Sequence, residues 1–497
     1  MESFQKITPL EKRGRGELQT EKLYMTDSNV DVLVLGGGPG GYAAAFYAAD
    51  LGMSVALVDL EKNPGGVCLY RGCIPSKALL HVAKFLNEVN EAKNFGVDLG
   101  TPKINVDKLN AYTDNVVTKL TGGLGQLAKA RKIDFVQGRG SFANATTLKV
   151  ALTAGGEKTI TFKNAVVAAG SRPATLPNFP ADSANVLNST TALKIPAIPK
   201  SLLVVGGGYI GLELGSVYAA LGTEVSVVEV ATGLMMGADR DLVSVLEKKF
   251  KKSFKNMWLG TSVTDVKEDS HGFKIKMSGK DAPSEASFEK VLVSVGRKPN
   301  ASGIGLENTK VQIDERGFVK IAPNCQTNEP TIFAIGDIVG GLMLAHKASH
   351  EARVAIDAIS GKRVAFQPQA IPAVVFTDPE IAWCGVTEDE AKKQNLNVDV
   401  VKFPWAASGR AMSLDRTDGL TKIIVDKATE RVLGVGIVGA GAGELIAEGT
   451  LAIEMGATVK DLALTIHAHP TLSETVMEAA EMFYGHCTHM FKPLKKS

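Results

Sequence analysis

The sequence lacks any apolar run of the ~18 residues that a helix needs to cross a bilayer. It also lacks an export signal. Its first 30 residues carry five acids and five bases and no apolar stretch, and the acids argue against a mitochondrial transit peptide as well. Residues 1–28 therefore read as a disordered leader, with Met25 as an alternative start, and a cytoplasmic location is expected. There is no basic block, and the net charge is only +2. Neither nucleic acid nor an anionic membrane surface is an expected partner. Cysteine is scarce, five in 497 residues. That excludes a disulfide framework and leaves a close pair of cysteines to be explained by catalysis or metal binding.

The length suggests roughly three domains of ~150 residues, and 51 glycines fit many tight turns or backbone–ligand contacts. The stretch DVLVLGGGPGGYAAAFYAADLGMSVALVD reads strand, glycine turn, helix, strand. Gly36 permits the turn, Gly38 lets backbone approach a pyrophosphate, and Gly41 lets helix and sheet pack closely. The helix N-terminus faces the phosphates, and the closing Asp59 is placed to accept from a ribose hydroxyl. SLLVVGGGYIGLELGSVYAALGTEVSVVE repeats the pattern with Gly206, Gly208, Gly211 and Glu229. In both copies the acid stands 23 residues after the first glycine. One such pattern is weak evidence; two in register indicate two dinucleotide-binding domains. NAVVAAGSRP and KVLVSVGRKPN, each following its own fingerprint, echo each other and support duplication. Two nucleotides side by side suggest electron transfer, commonly between a flavin and a nicotinamide.

Just beyond Asp59 lies GGVCLYRGCIPSK, with Cys68 and Cys73 five residues apart. This spacing fits neither a zinc CxxC nor haem attachment, and no second pair completes a tetrahedral site, so no metal is expected. Pro75 suits the first turn of a helix starting near Cys73. A helix N-terminus there favours a thiolate. Cys325, Cys384 and Cys487 read as buried or incidental thiols. GHCTHM around Cys487 offers two histidines and a cysteine but no fourth ligand in the sequence, and it reads as a solvated or interface tail.

GGVCLYRGCIPSK resembles the redox-disulfide segment of the pyridine nucleotide–disulfide oxidoreductases, and the resemblance extends over residues 29–480. TIFAIGDIVGGLMLAHKASHEA is similar to that family's second FAD motif. HAHPTLSE is similar to its C-terminal catalytic motif, and PAVVFTDPEIAWCG and FPWAASGRA to its dimer-interface domain. The resemblance implies an α/β fold: two Rossmann-like dinucleotide-binding domains and a C-terminal α+β dimerisation domain. The implied boundaries are 29–173 (FAD, first part), 174–301 (NAD), 302–370 (a central domain completing the FAD site) and 371–497 (dimer interface). It implies Cys68 as the thiol that meets substrate and Cys73 as the thiol against the flavin. Lys77 is implied near the flavin, paired with Glu213. His469 is the implied general base, oriented by Glu474 across a homodimer interface, and the bond before Pro470 is expected to be cis. His467 is expected to be structural. Gly140, Asp337 and Ala345 join the FAD set, and Tyr209 and Gly296 the NAD set. The implied reaction is oxidation of protein-bound dihydrolipoamide by NAD+ through FAD. The implied partners are the lipoyl domains and E2 core of 2-oxoacid dehydrogenase complexes.

Glu229 is followed by VATGLMM without arginine, which favours a free ribose 2′-hydroxyl over a 2′-phosphate. Tyr209 departs from the aliphatic residue usual in the lipoamide branch and is similar to the lid tyrosine of glutathione-type reductases. The C-terminal cysteine pairs of mercuric and large thioredoxin reductases are absent. A glutathione-reductase-like NAD(P)H enzyme and a mainly non-catalytic complex subunit are the competing readings.

Overall fold

The computed structural model describes residues 27–491 other than Ala181. The expected leader thus lies outside the described residues, except at its end. There the fold starts earlier than expected. Ser28 already begins the first strand, its Oγ donating to Asp134 Oδ2 at 2.8 Å, and Asp27 Oδ1 accepts the Thr159 N–H at 3.1 Å.

The first apolar run is strand Ser28–Leu35. It pairs in parallel with Val55–Asp59 on one side and Glu157–Val167 on the other. Asp134–Asn144 extends the sheet beyond the former and Ile332–Ala334 beyond the latter, both in parallel. Strands covered on both faces must be apolar throughout, and Val32, Leu33 and Val34 are completely buried. Helix Pro39–Asp50 packs its small residues, Gly41, Ala44, Ala45 and Ala48 among them, toward the interior. Gly36 makes the strand-to-helix turn at φ +104, where a side chain would collide with the Ala168 carbonyl. The 302–370 segment has no sheet of its own. Its strand completes the first sheet, and its helix Ala345–Ile359 packs on Pro39–Asp50. The segment thus adds a strand and a helix to the first sheet and its helix layer.

The second domain repeats the design. Its parallel sheet runs Asn256–Trp258, Glu224–Val228, Ser201–Val205, Lys290–Val293, Val186–Leu187. Gly206 turns at φ +109 into helix Tyr209–Ala220, matching Gly36. The two echo segments meet: Ser171–Pro173 pairs antiparallel with Arg297–Pro299, forming a two-stranded link where the chain crosses between domains.

The C-terminal unit is α+β, as expected. Its antiparallel sheet has the order Ala373–Val375, Glu380–Gly385, Val432–Gly439, Leu420–Asp426, Val398–Pro404. Helices Ala442–Glu454, Val459–Leu464 and Glu474–Tyr484 pack against it. Buried Lys422 ties it to the second domain through Asp239 and Asp241, at 2.6 and 2.8 Å, and also meets Glu388 at 2.9 Å. Among the described residues no helix is long and apolar enough to cross a membrane.

Candidate active site

Gly65–Lys77 docks directly on the first fingerprint. The Gly65 N–H donates to the Gly37 carbonyl at 2.7 Å, and a Cβ on Gly66 would meet Gly38 Cα at 2.5 Å, so only glycine allows this approach. Cys68 lies in the short helix Gly66–Arg71. Gly72 breaks that helix, and Cys73 begins the next one, Cys73–Glu91. The corner is tight: a Cβ on Gly72 would stand 2.9 Å from the Val67 carbonyl oxygen. It folds the two thiols back onto each other.

Both cysteines are free thiols and both line a cavity of about 690 Å³, Cys73 being the more open. Cys68 donates a hydrogen bond to Cys73. That bond and the Lys77 ammonium outweigh burial and bring the Cys73 thiol down to about 7. Cys68, which supplies the proton and is itself buried, is pushed far above the usual thiol range. Cys73 sits at the expected helix start. The stronger influences on it are a neighbouring side-chain donor and a lysine one turn on.

Lys77 Nζ lies 2.8 Å from Glu213 Oε2, whose side chain is only 4% exposed. Glu213 Oε1 accepts the Phe376 N–H at 2.9 Å, and Lys77 lies 4.5 Å over the Phe376 ring. Lys77 belongs to the first domain, Glu213 to the second and Phe376 to the third. One carboxylate joins all three at the thiols.

The remaining expected residues fall into three places. Gly36, Gly38, Asp59, Gly140, Asp337 and Ala345 line the same cavity as the cysteines. Gly41 packs beneath, against Gly36. Asp59 Oδ2 accepts the Gly37 N–H at 2.5 Å and Oδ1 the Glu61 N–H at 2.8 Å; burial raises its pKa against these bonds. Gly206, Gly208, Gly211, Glu229 and Gly296 gather outside that cavity, at the carboxyl edge of the second sheet. Glu229 mirrors Asp59, accepting the Gly207 N–H at 2.5 Å and the Ala231 N–H at 2.7 Å. Tyr209 belongs to the second fingerprint yet lines the first cavity. Burial, with Glu213 and Cys73 nearby, pushes its hydroxyl up to about 12.

His469 and Glu474 stand apart. His469 Nδ1 is 2.9 Å from Glu474 Oε1, and Glu474 Oε2 accepts the Thr471 N–H at 2.7 Å. Burial opposes ionisation of Glu474, but these two partners hold its pKa below the ordinary value. The bond before Pro470 is cis. The His469 side chain is 73% exposed and does not line the thiol cavity. His467 is instead held at both nitrogens, by the Thr465 carbonyl at 2.8 Å and Glu448 at 2.7 Å, with 6% of its side chain exposed. Cys325 and Cys384 are buried. Cys487 is half-buried, its sulfur 2.6 Å from buried Glu478.

Two contributions escaped the sequence reading. Asp337 is held by Ser171 and lies 3.8 Å from Arg297, both from the interdomain link. Buried Glu351 pairs with Lys347 at 2.5 Å and accepts the Gly336 N–H at 2.8 Å, fixing the turn that presents Asp337. An i,i+4 Lys–Glu pair on an otherwise buried helix face was the available signal.

Comparison with known proteins agrees in extent with this geometry. Residues 30–352 match the family described as pyridine nucleotide-disulphide oxidoreductase, and residues 371–480 match its dimerisation domain. The chain is 48% identical over 460 residues to a dihydrolipoyl dehydrogenase of Vibrio cholerae, covering 92% of this chain and 96% of that one. It is 43% identical over 464 residues to that of Bacillus subtilis, covering 93% and 98%. Among solved structures, LpdA from Mycobacterium tuberculosis superposes with a TM-score of 0.85 at 27% identity, covering 92% of this chain and 99% of that one.

Proposed function

This chain belongs to the pyridine nucleotide-disulphide oxidoreductase family, and from that premise we propose that it oxidises dihydrolipoamide to lipoamide with NAD+ as acceptor, through bound FAD. The observation that carries the reading is that Cys68 and Cys73 line one cavity together with the ion-paired Lys77 and Glu213. The cavity's 690 Å³ lies within the ~300–1,000 Å³ usual for small-molecule sites. Its opening at Gly38, where a Cβ would touch nothing within 4 Å, and the N-terminus of helix Pro39–Asp50 suit a dinucleotide pyrophosphate. When bound, FAD supplies the two-electron relay between dithiol and nicotinamide. Asp59, Gly140, Asp337 and Ala345 hold it, and the second fingerprint with Glu229 holds NAD+.

The chain's own groups divide the thiol chemistry. His469, oriented by Glu474, takes the proton from a substrate thiol. The substrate thiolate attacks Cys68 in the oxidised Cys68–Cys73 disulfide; a mixed disulfide forms and Cys73 leaves as thiolate. The Lys77 ammonium stabilises that thiolate. The second substrate thiol then displaces Cys68, releasing the cyclic disulfide and leaving the enzyme dithiol.

His469 lies outside its own chain's thiol cavity, so a second copy must bring it to Cys68. Apolar side chains just before His469 in the chain are bare: Ile466 is 96% exposed and Leu464 71%. Such a patch suits a homodimer interface. The substrate is carried by lipoyl domains on the E2 core of a 2-oxoacid dehydrogenase complex. A substrate and coenzyme panel tests the reading: dihydrolipoamide with NAD+ should exceed every other pair. Dominant glutathione disulfide reduction by NADPH would overturn it and favour the role suggested by Tyr209.

A further inference from the structure

The last described residues form a second constellation of chemical side chains, on the helix that begins with Glu474. Glu478 and Glu481 are three apart on helix Glu474–Tyr484 and so share a face. Gly485 ends that helix at φ +77, and the chain turns back. The return brings Cys487 Sγ to 2.6 Å from Glu478 Oε2 and His489 Nδ1 into contact with Glu478 Oε1. Ligand atoms of Glu478, Glu481 and Cys487 all lie within 4.8 Å of one another.

The polar bonds in the cluster leave a remainder. Glu478 is 3% exposed, and its one ion-pair partner among the described residues is His489. Glu481 Oε2 is fully buried and has no hydrogen-bond partner among them. Two carboxylates this close repel each other, and a bound cation relieves that repulsion. A carboxylate with an orphaned buried oxygen, grouped within 4.8 Å of a thiol and a second carboxylate, is what a metal ion resolves.

We propose that Glu478, Glu481, Cys487 and His489 form a binding site for a divalent transition metal of zinc-like chemistry. One sulfur, one imidazole and two carboxylates are a tetrahedral donor set suited to a borderline-soft dication and unsuited to magnesium or calcium, which take oxygen ligands alone. Metal–ligand bonds of ~2.0–2.3 Å set tetrahedral donors a little over 3 Å apart, so the Cys487–Glu478 contact opens as the metal takes the place of the shared proton, while donors up to 4.8 Å apart close in. Binding replaces the Cys487 thiol proton with the metal, releasing that proton to solvent. The site is separate from the redox thiols: none of the four residues lines their cavity.

The test uses oxidised, FAD-containing, full-length protein and metal alone. Zn2+ binding is measured by equilibrium dialysis with elemental analysis, and Co2+ binding by its visible d–d bands, which lie beyond oxidised flavin absorption. The expected result is one ion per chain, with tetrahedral Co2+ bands. Cys487→Ser and Glu481→Gln should each weaken binding by at least ~10²-fold, while FAD content and turnover are kept. His489→Gln is a further arm should either variant lose FAD. Binding unchanged in these variants but lost in Cys68→Ser would place the metal on the redox thiols and overturn the proposal. So would the absence of bound metal in wild type.

Discussion

Replacing Lys77 by methionine should raise the pKa of Cys73, and the structure sets the scale. The Cys73 thiol lies near 7 because a hydrogen bond from Cys68 and the Lys77 charge outweigh burial and the opposing charge of Glu213. An opposite charge within hydrogen-bonding neighbourhood moves a pKa by ~1–3 units. Methionine removes that charge and leaves Glu213, 4% exposed, with the Phe376 N–H alone. A net rise of about 1.5 units is expected. The sign follows: the thiolate persists above the folded pKa, so at pH 7.5 its fraction falls from about three quarters to about one tenth. The assay is the long-wavelength band that a thiolate produces against oxidised flavin. It is titrated in Cys68→Ser, whose hydroxyl can still donate to Cys73, and in Cys68→Ser/Lys77→Met. A midpoint near 7 in the first and above 8 in the second is expected. Equal midpoints would show that Lys77 does not govern the thiol.

Four further outcomes are expected. His469→Gln should keep FAD and lower dihydrolipoamide turnover by at least ~10²-fold, with Glu474→Gln milder; His467→Gln should act on thermal stability, by about 1–3 kcal/mol, rather than on chemistry. Glu229→Ala should weaken NAD+ binding and narrow the preference over NADP+, seen as a smaller ratio of kcat/KM values. Glu351→Ala strands buried Lys347 and should destabilise the first domain by about 3–5 kcal/mol, with FAD lost at lower denaturant. A chain beginning at Met25 should keep FAD and full turnover, because the earliest bonds described involve Asp27 and Ser28.

Much of this was legible in the residues. Glycine turns leave a signature because only glycine survives at φ near +100, and both fingerprints folded where Gly36 and Gly206 placed them. The Cys73 helix start was readable from Pro75, and cavity residues such as Asp337 from the motif around them. Contacts made between distant segments were not. Nothing local in GSRP says that Ser171 will hold Asp337, or that Ile332–Ala334 will return to the first sheet after the second domain intervenes. Cys487 reads as incidental until the helix that ends three residues upstream supplies two carboxylates. His469 shows the opposite case: its pairing with Glu474 is local and readable, but its distance from Cys68 is a fact of the folded chain.

The central claim is that electrons from dihydrolipoamide enter at Cys68 and Cys73. Its most direct test is anaerobic mixing of oxidised, FAD-containing protein with one equivalent of dihydrolipoamide and no NAD+, followed by alkylation and peptide mapping. Two thiols per chain should become newly labelled, Cys68 first and Cys73 second, with one equivalent of lipoamide formed. Lipoamide formed while Cys68 and Cys73 stay unlabelled, or no lipoamide at all, would contradict the account.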